Sequence, residues 1–124
     1  SIAGAGMSFT DAYAGAAICS PTRASLMTGK APARLHLTDY IPGGTFPYAQ
    51  LRVPEWTKHL PLEETTIAEA LKEKGYVSGH FGKWHLNKDK DYVPGRPMDP
   101  ASQGFDDVFT SVKPPPDADP LPRA

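Results

Sequence analysis

The chain has 124 residues, of which 40% are hydrophobic and 22% charged, and its net charge is −1. That size allows one small domain, and that charge excludes any general electrostatic attraction to nucleic acid or an anionic membrane. No apolar run approaches the ~20 residues of a membrane span, and a single cysteine excludes an internal disulfide.

The opening, Ser1-Ile2-Ala3-Gly4-Ala5-Gly6, has no initiating Met and no basic flank before an apolar stretch, so no export signal is visible. It reads as the middle of a loop. The other end, from Lys113 to Ala124, holds five prolines in twelve residues and predicts extended, polyproline-like backbone without a core. Together the two ends predict a segment of a larger domain: residues 1–112 as part of that domain and 113–124 as a proline-rich connector or truncated end.

Ser8-Phe9-Thr10-Asp11-Ala12-Tyr13 alternates apolar and polar residues and predicts a short strand. Ser20 then offers a helix cap with Pro21 at the first helical position, where a missing N–H costs nothing. Leu26 and Met27 supply an apolar flank, and Gly29 is the stop. Five prolines between residues 31 and 61, with Gly43-Gly44 among them, forbid a long helix there and predict an irregular surface excursion. The clearest regular unit runs from Thr66 to Gly75. Thr66 and Glu69 form a capping box, Ile67 and Leu71 share a face, and Gly75 closes the helix. Residues 76–81 read as a strand running into Gly82-Lys83-Trp84-His85, and residues 87–100 as loop. Helix feeding into strand predicts an α/β layout, in which sites gather beyond the carboxyl ends of strands.

Two clusters carry chemistry. Cys19 at a helix N-terminus meets unpaired N–H groups and the positive end of the dipole, both of which favour anionic character. Arg23, four residues on, shares its face and stays charged, as an anion-handling pair requires. The same spacing also fits a small buried cysteine with an arginine at the surface. In the second cluster, strand alternation would put Lys83 and His85 on one side and Trp84 on the other. Two cationic groups on one spot suit an oxyanion, and histidine exchanges protons near neutral pH. A strand end with two solvated side chains fits equally well.

Ala17-Ile18-Cys19-Ser20-Pro21-Thr22-Arg23-Ala24-Ser25-Leu26-Met27-Thr28-Gly29 resembles the sulfatase signature, Cys-x-Pro-x-Arg followed by an apolar pair and Thr-Gly. Gly75-Tyr76-Val77-Ser78-Gly79-His80-Phe81-Gly82-Lys83-Trp84-His85-Leu86 resembles the second signature of that family, 64 residues on from cysteine to lysine. Thr38-Asp39-Tyr40-Ile41-Pro42-Gly43 and Gly104-Phe105-Asp106 are similar to further stretches of bacterial-type sulfatases.

The resemblance implies part of an alkaline phosphatase-like, mostly parallel sheet flanked by helices. It also implies that a dedicated formylglycine-generating enzyme oxidises Cys19 to an aldehyde. A hydrated aldehyde carries two hydroxyls on one carbon: one attacks sulfur, and the other expels sulfate as the aldehyde re-forms, a covalent route with its own exit. By the same resemblance Arg23 holds the hydrate, Lys83 contacts the sulfate oxygens and His85 moves protons.

Family members bind one divalent cation, usually calcium, through hard oxygen ligands, and the residue at Cys19, once formylglycine, would be one ligand. The acidic pair expected before the cysteine is missing, since only Asp11 precedes it, and Asp106-Asp107 stands where the family has no ligands. The segment alone is therefore expected to be inactive. His36, His59 and His80 match no catalytic position and are expected to be structural or at the surface. The implied compartment is periplasmic, secreted or lysosomal. A phosphate or phosphonate monoester hydrolase of the same superfamily, and a non-catalytic remnant, are the alternatives.

Overall fold

A computed structural model describes residues 1–88 and 96–109. In chain order it contains helices α1 (Ile2–Ala5), α2 (Cys19–Thr28) and α3 (Ile67–Lys72), strand β1 (Gly79–Phe81), a 3₁₀ turn (Pro100–Gln103) and strand β2 (Asp107–Phe109). The expected connector, 113–124, and part of the expected loop, 89–95, lie outside the described residues.

The α/β layout is present as expected. β1 and β2 pair in parallel, with Gly79 opposite Asp107, His80 opposite Val108 and Phe81 opposite Phe109. The strand is shorter than the predicted 76–81. It begins at Gly79, because the partner reaches no further: Asp106 and Asp107 both donate to the Ser78 carbonyl at its edge. Nor does it continue through residue 85. Gly82 turns the chain at φ 101° and His85 stands at φ 57°, so backbone alternation is not what aims Lys83 and His85.

The predicted strand over residues 8–13 is absent. Phe9 and Tyr13 are exposed, and alternation makes a strand only where a neighbour accepts its hydrogen bonds.

Helix α2 starts two residues earlier than a Ser20 cap suggests. Ile18 occupies the cap position in extended backbone, with no side-chain cap bond. Pro21 falls in the first turn, where its missing N–H is no loss. The hydroxyl of Ser20 is engaged elsewhere, accepting from the Ile41 N–H at 3.1 Å. At the other end Gly29 closes the helix at φ 68°, its N–H donating to the Ser25 carbonyl. In α3 the capping box is complete: the Thr66 hydroxyl accepts from Glu69 N–H, and the Glu69 carboxylate accepts from Thr66 N–H. Gly75 ends the following turn at φ 81°. The shared face of Ile67 and Leu71 is largely exposed; Thr66 and Ala68 are the buried residues of this segment.

The core lies elsewhere. Ala24 of α2 packs with Leu35, Leu37, Ile41, Leu60, Trp84 and Leu86, and Met27, Trp56 and Phe105 close over them. Residues 31–61 are irregular, as expected, yet they are not merely a surface excursion. They supply Leu35, Leu37, Ile41 and Leu60, four of the seven buried members. Their main chain is satisfied by links to other segments, among them Leu60 N–H to the Leu86 carbonyl at 2.8 Å and Gln103 Nε2 to the Leu60 carbonyl at 3.1 Å. Gly43 shows how closely this loop packs: at φ 98° a Cβ would stand 2.9 Å from the Trp56 ring.

Candidate active site

Cys19 is the first residue of α2 and half-buried. Its Sγ lies 3.2 Å from His85 Nδ1. The other ring nitrogen, Nε2, lies 2.6 Å from the Ile41 carbonyl oxygen. A carbonyl can only accept, so Nε2 carries the hydrogen and donates it. In the neutral ring Nδ1 is then the acceptor, and the Cys19 thiol donates to it. The arrangement is a proton donor, an acceptor and a group that fixes the acceptor's tautomer.

Arg23, one turn further along α2, donates through Nη1 to the Lys83 carbonyl at 2.5 Å. Two links therefore join α2 to residues 83–85, one at each end of that short stretch. The turn is held from behind as well. Trp84 is buried and its Nε1 donates to the Met98 carbonyl at 2.9 Å, while Leu86 is fully buried. With residues 84 and 86 anchored in the core, His85 faces Cys19. Lys83 meets Arg23 through its main-chain oxygen, and its side chain is exposed. The structure thus gathers Cys19, Arg23, His85 and the main chain of Lys83.

Before the helix, the Thr22 hydroxyl donates to the Ala16 carbonyl and accepts from the Ala16 N–H at 3.2 Å, tying down the approach to Cys19. Ile41 was not signalled by any side-chain chemistry, since it acts through its carbonyl. The one pointer to it in the sequence was the family-like stretch of residues 38–43.

Behind the turn, the ring of His80 packs edge-on against Trp84 (centroids 5.2 Å) and Phe105 (5.4 Å), and its Nδ1 has no hydrogen-bond partner. Burial first, then the Arg23 charge, holds His80 below the usual imidazole range, against a main-chain hydrogen bond at Lys83 that raises it. Asp106 is occupied structurally: it pairs with Lys72 at 2.5 Å and accepts from Ser78 N–H at 3.0 Å. Among the described residues no group of three or more His, Cys, Asp or Glu side chains could hold a metal ion. Asp11 is exposed near the surface-lying Thr10. The described residues do not fit a calcium site.

The sulfatase family profile matches residues 1–121. The chain belongs to the sulfatase family. It is 42% identical to an arylsulfatase of Hemicentrotus pulcherrimus over 108 residues, and 38% identical to human arylsulfatase A over 104 residues. These alignments cover 86% and 84% of this chain, which spans 18% of the length of each relative. Among solved structures, one described for glycosaminoglycan metabolism by Bacteroides thetaiotaomicron superposes with a TM-score of 0.63 at 32% identity, over 89% of this chain and 22% of its own. Ps i-CgsB, also solved with a neocarrahexaose, gives 0.60 at 27% identity, over 82% of this chain and 19% of its own. The sulfatase segment is accordingly a piece of the alkaline phosphatase-like α/β fold, and β1 and β2 are two neighbours of its parallel sheet. No described helix is long and apolar enough to cross a membrane.

Proposed function

We propose that the protein containing this segment is a sulfuric ester hydrolase that cleaves sulfate monoesters with formylglycine, formed from Cys19, as its nucleophilic residue. The observation that carries the reading is the hydrogen-bonded series Cys19–His85–Ile41, with Arg23 holding the adjacent Lys83 carbonyl. Cys19 fits the modification, because Sγ occupies the place a hydroxyl oxygen of the modified side chain would take, half-exposed and 3.2 Å from a proton acceptor. When formed and hydrated, formylglycine supplies a hydroxyl nucleophile with a second hydroxyl on the same carbon.

The chain's own residues supply the rest. His85 Nδ1 accepts a proton at position 19 while the Ile41 carbonyl keeps Nε2 protonated, so the ring is held in the tautomer that can act as base. Arg23 places a permanent positive charge one helical turn from position 19 and fixes the backbone that carries His85. Lys83, whose side chain is exposed, would contact the sulfate oxygens of a bound ester. A formylglycine-generating enzyme would be the maturation partner, and a periplasmic, secreted or lysosomal compartment the setting. A divalent cation, calcium in the family's usual form, would belong to the intact enzyme, with formylglycine at position 19 as one ligand and the others supplied from outside this segment.

The test uses the full-length enzyme. The peptide ending at Arg23 should carry the aldehyde or its hydrate by mass spectrometry, and aryl sulfate should be turned over in preference to aryl phosphate. His85→Ala should lower kcat by about 10²–10⁴-fold. An unmodified thiol from a host that modifies other sulfatases would point to a non-catalytic remnant, and preferred turnover of the phosphate ester to a phosphohydrolase.

A further inference from the structure

We infer that Ser20, the residue after Cys19, is a positioning residue for His85 and acts through the main chain of Ile41. The inference rests on the proposed use of His85 as the proton acceptor at position 19. Ser20 is fully buried, and its hydroxyl does not cap its own helix. Its Oγ accepts from Ile41 N–H at 3.1 Å; the carbonyl of the same Ile41 accepts from His85 Nε2–H at 2.6 Å; and His85 Nδ1 returns to Cys19 Sγ at 3.2 Å. The series leaves α2 at residue 20 and closes on it at residue 19.

Each link is needed by the next. Ile41 lies in a segment without regular structure, so no helix or sheet ladder fixes its peptide groups. It is 2% exposed, and without the Ser20 oxygen its N–H would be buried and unpaired, a state that drives backbone to move until the group is solvated. Movement of that residue carries its carbonyl away from His85. His85 itself stands at φ 57°, a conformation non-glycine residues keep only where their surroundings hold them. Released from the Ile41 carbonyl, the ring can place its hydrogen on Nδ1, and in that tautomer it cannot accept from position 19.

The closing experiment compares Ser20→Ala, Ser20→Cys and Ser20→Thr in the full-length enzyme. Cysteine keeps the volume with a weak acceptor and guards against a variant that fails to fold; threonine keeps the hydroxyl. In ¹⁵N-histidine-labelled protein with Cys19 unmodified, His85, assigned by its loss in His85→Gln, should show a single Nε2–H tautomer in the parent and in Ser20→Thr. It should show a mixture in Ser20→Ala and Ser20→Cys. In the modified enzyme, normalised by mass spectrometry to the converted fraction, the Ala and Cys variants should lose about tenfold in kcat with KM within twofold. A single Nε2–H tautomer in both the Ala and Cys variants overturns the inference, as does a Thr variant as mixed as Ala. A tautomer change in an enzyme without sulfatase activity leaves the positioning inference standing and removes the reaction reading instead.

Discussion

The two halves of this segment are built in opposite ways. Helix α3 and the β1–β2 pair are regular, yet Ile67, Leu71, Phe81 and Phe109 are all exposed, the two phenylalanines at 75% and 67%. The loops around α2 are irregular, yet Leu35, Leu37, Ile41, Leu60, Trp84 and Leu86 are buried in them. The candidate site joins the start of α2, which carries Cys19 and Arg23, to the irregular loops around it. Residues held by packing and inter-segment hydrogen bonds can place one carbonyl or one imidazole where a repeating backbone could not. The Ile41 carbonyl and His85 at positive φ are such placements.

The largest test of that contrast is truncation in each half. Leu37→Ala empties a site with no exposed surface and should cost about 2–5 kcal/mol of unfolding free energy. Phe81→Ala removes a larger side chain from a regular strand, but one already in solvent, and should change stability by no more than about 0.5 kcal/mol. Urea midpoints at constant m-value read both. Equal losses would mean that Phe81 is covered in the intact protein and that the exposed sheet face belongs to the segment alone.

A smaller effect tests the seam between the halves, where the ring of His80 in β1 meets Trp84 and Phe105. Its folded value is lowered, by burial first and by the Arg23 charge second. Below about pH 6.5 the unfolded chain therefore binds a proton that the folded chain resists. Stability is full above that pH and falls as pH drops toward the folded value, with a slope of at most about 1.4 kcal/mol per pH unit from this one group. His80→Leu should flatten that part of the curve relative to the parent. An unchanged slope would move the acid sensitivity to another histidine.

What could be read in the sequence divides along the same line. The capping box of Thr66 and Glu69, the stops at Gly29 and Gly75 and the helix-to-strand order were legible, because each is set by neighbours in the chain. The strand expected at residues 8–13 failed for lack of a partner, which a local pattern cannot supply. Ser20 looked like a cap and is a tertiary hydrogen-bond acceptor; nothing in residues 18–21 distinguishes the two uses. The loop of residues 31–61 looked like surface because prolines exclude regular structure, but they do not exclude burial of the leucines between them. The pairing of Cys19 with His85, 66 residues apart, was legible only through family resemblance, since no local rule reaches that far.

The smallest effect lies wholly in the regular half. Asp106 bridges α3 to the sheet, with Oδ1 on the Lys72 ammonium and Oδ2 accepting from Ser78 N–H. The Lys72 hydrogen bond, and then the Ser78 N–H, hold its carboxyl below the usual range. A carboxyl lowered on folding adds stability above its unfolded value, about pH 3.9, and loses that contribution as pH falls through the lower folded value. Asp106→Asn keeps an acceptor for Ser78 and removes only the charge, so its urea midpoint should sit slightly below the parent's at pH 6 and converge on it below pH 3.9. Because the pair is exposed to solvent, added salt should close most of the same gap at pH 6. A gap that persists in acid and in salt would mean that Asp106 works through the shape of the α3–β1 junction. The regular half would then depend, like the irregular one, on the placement of a single group.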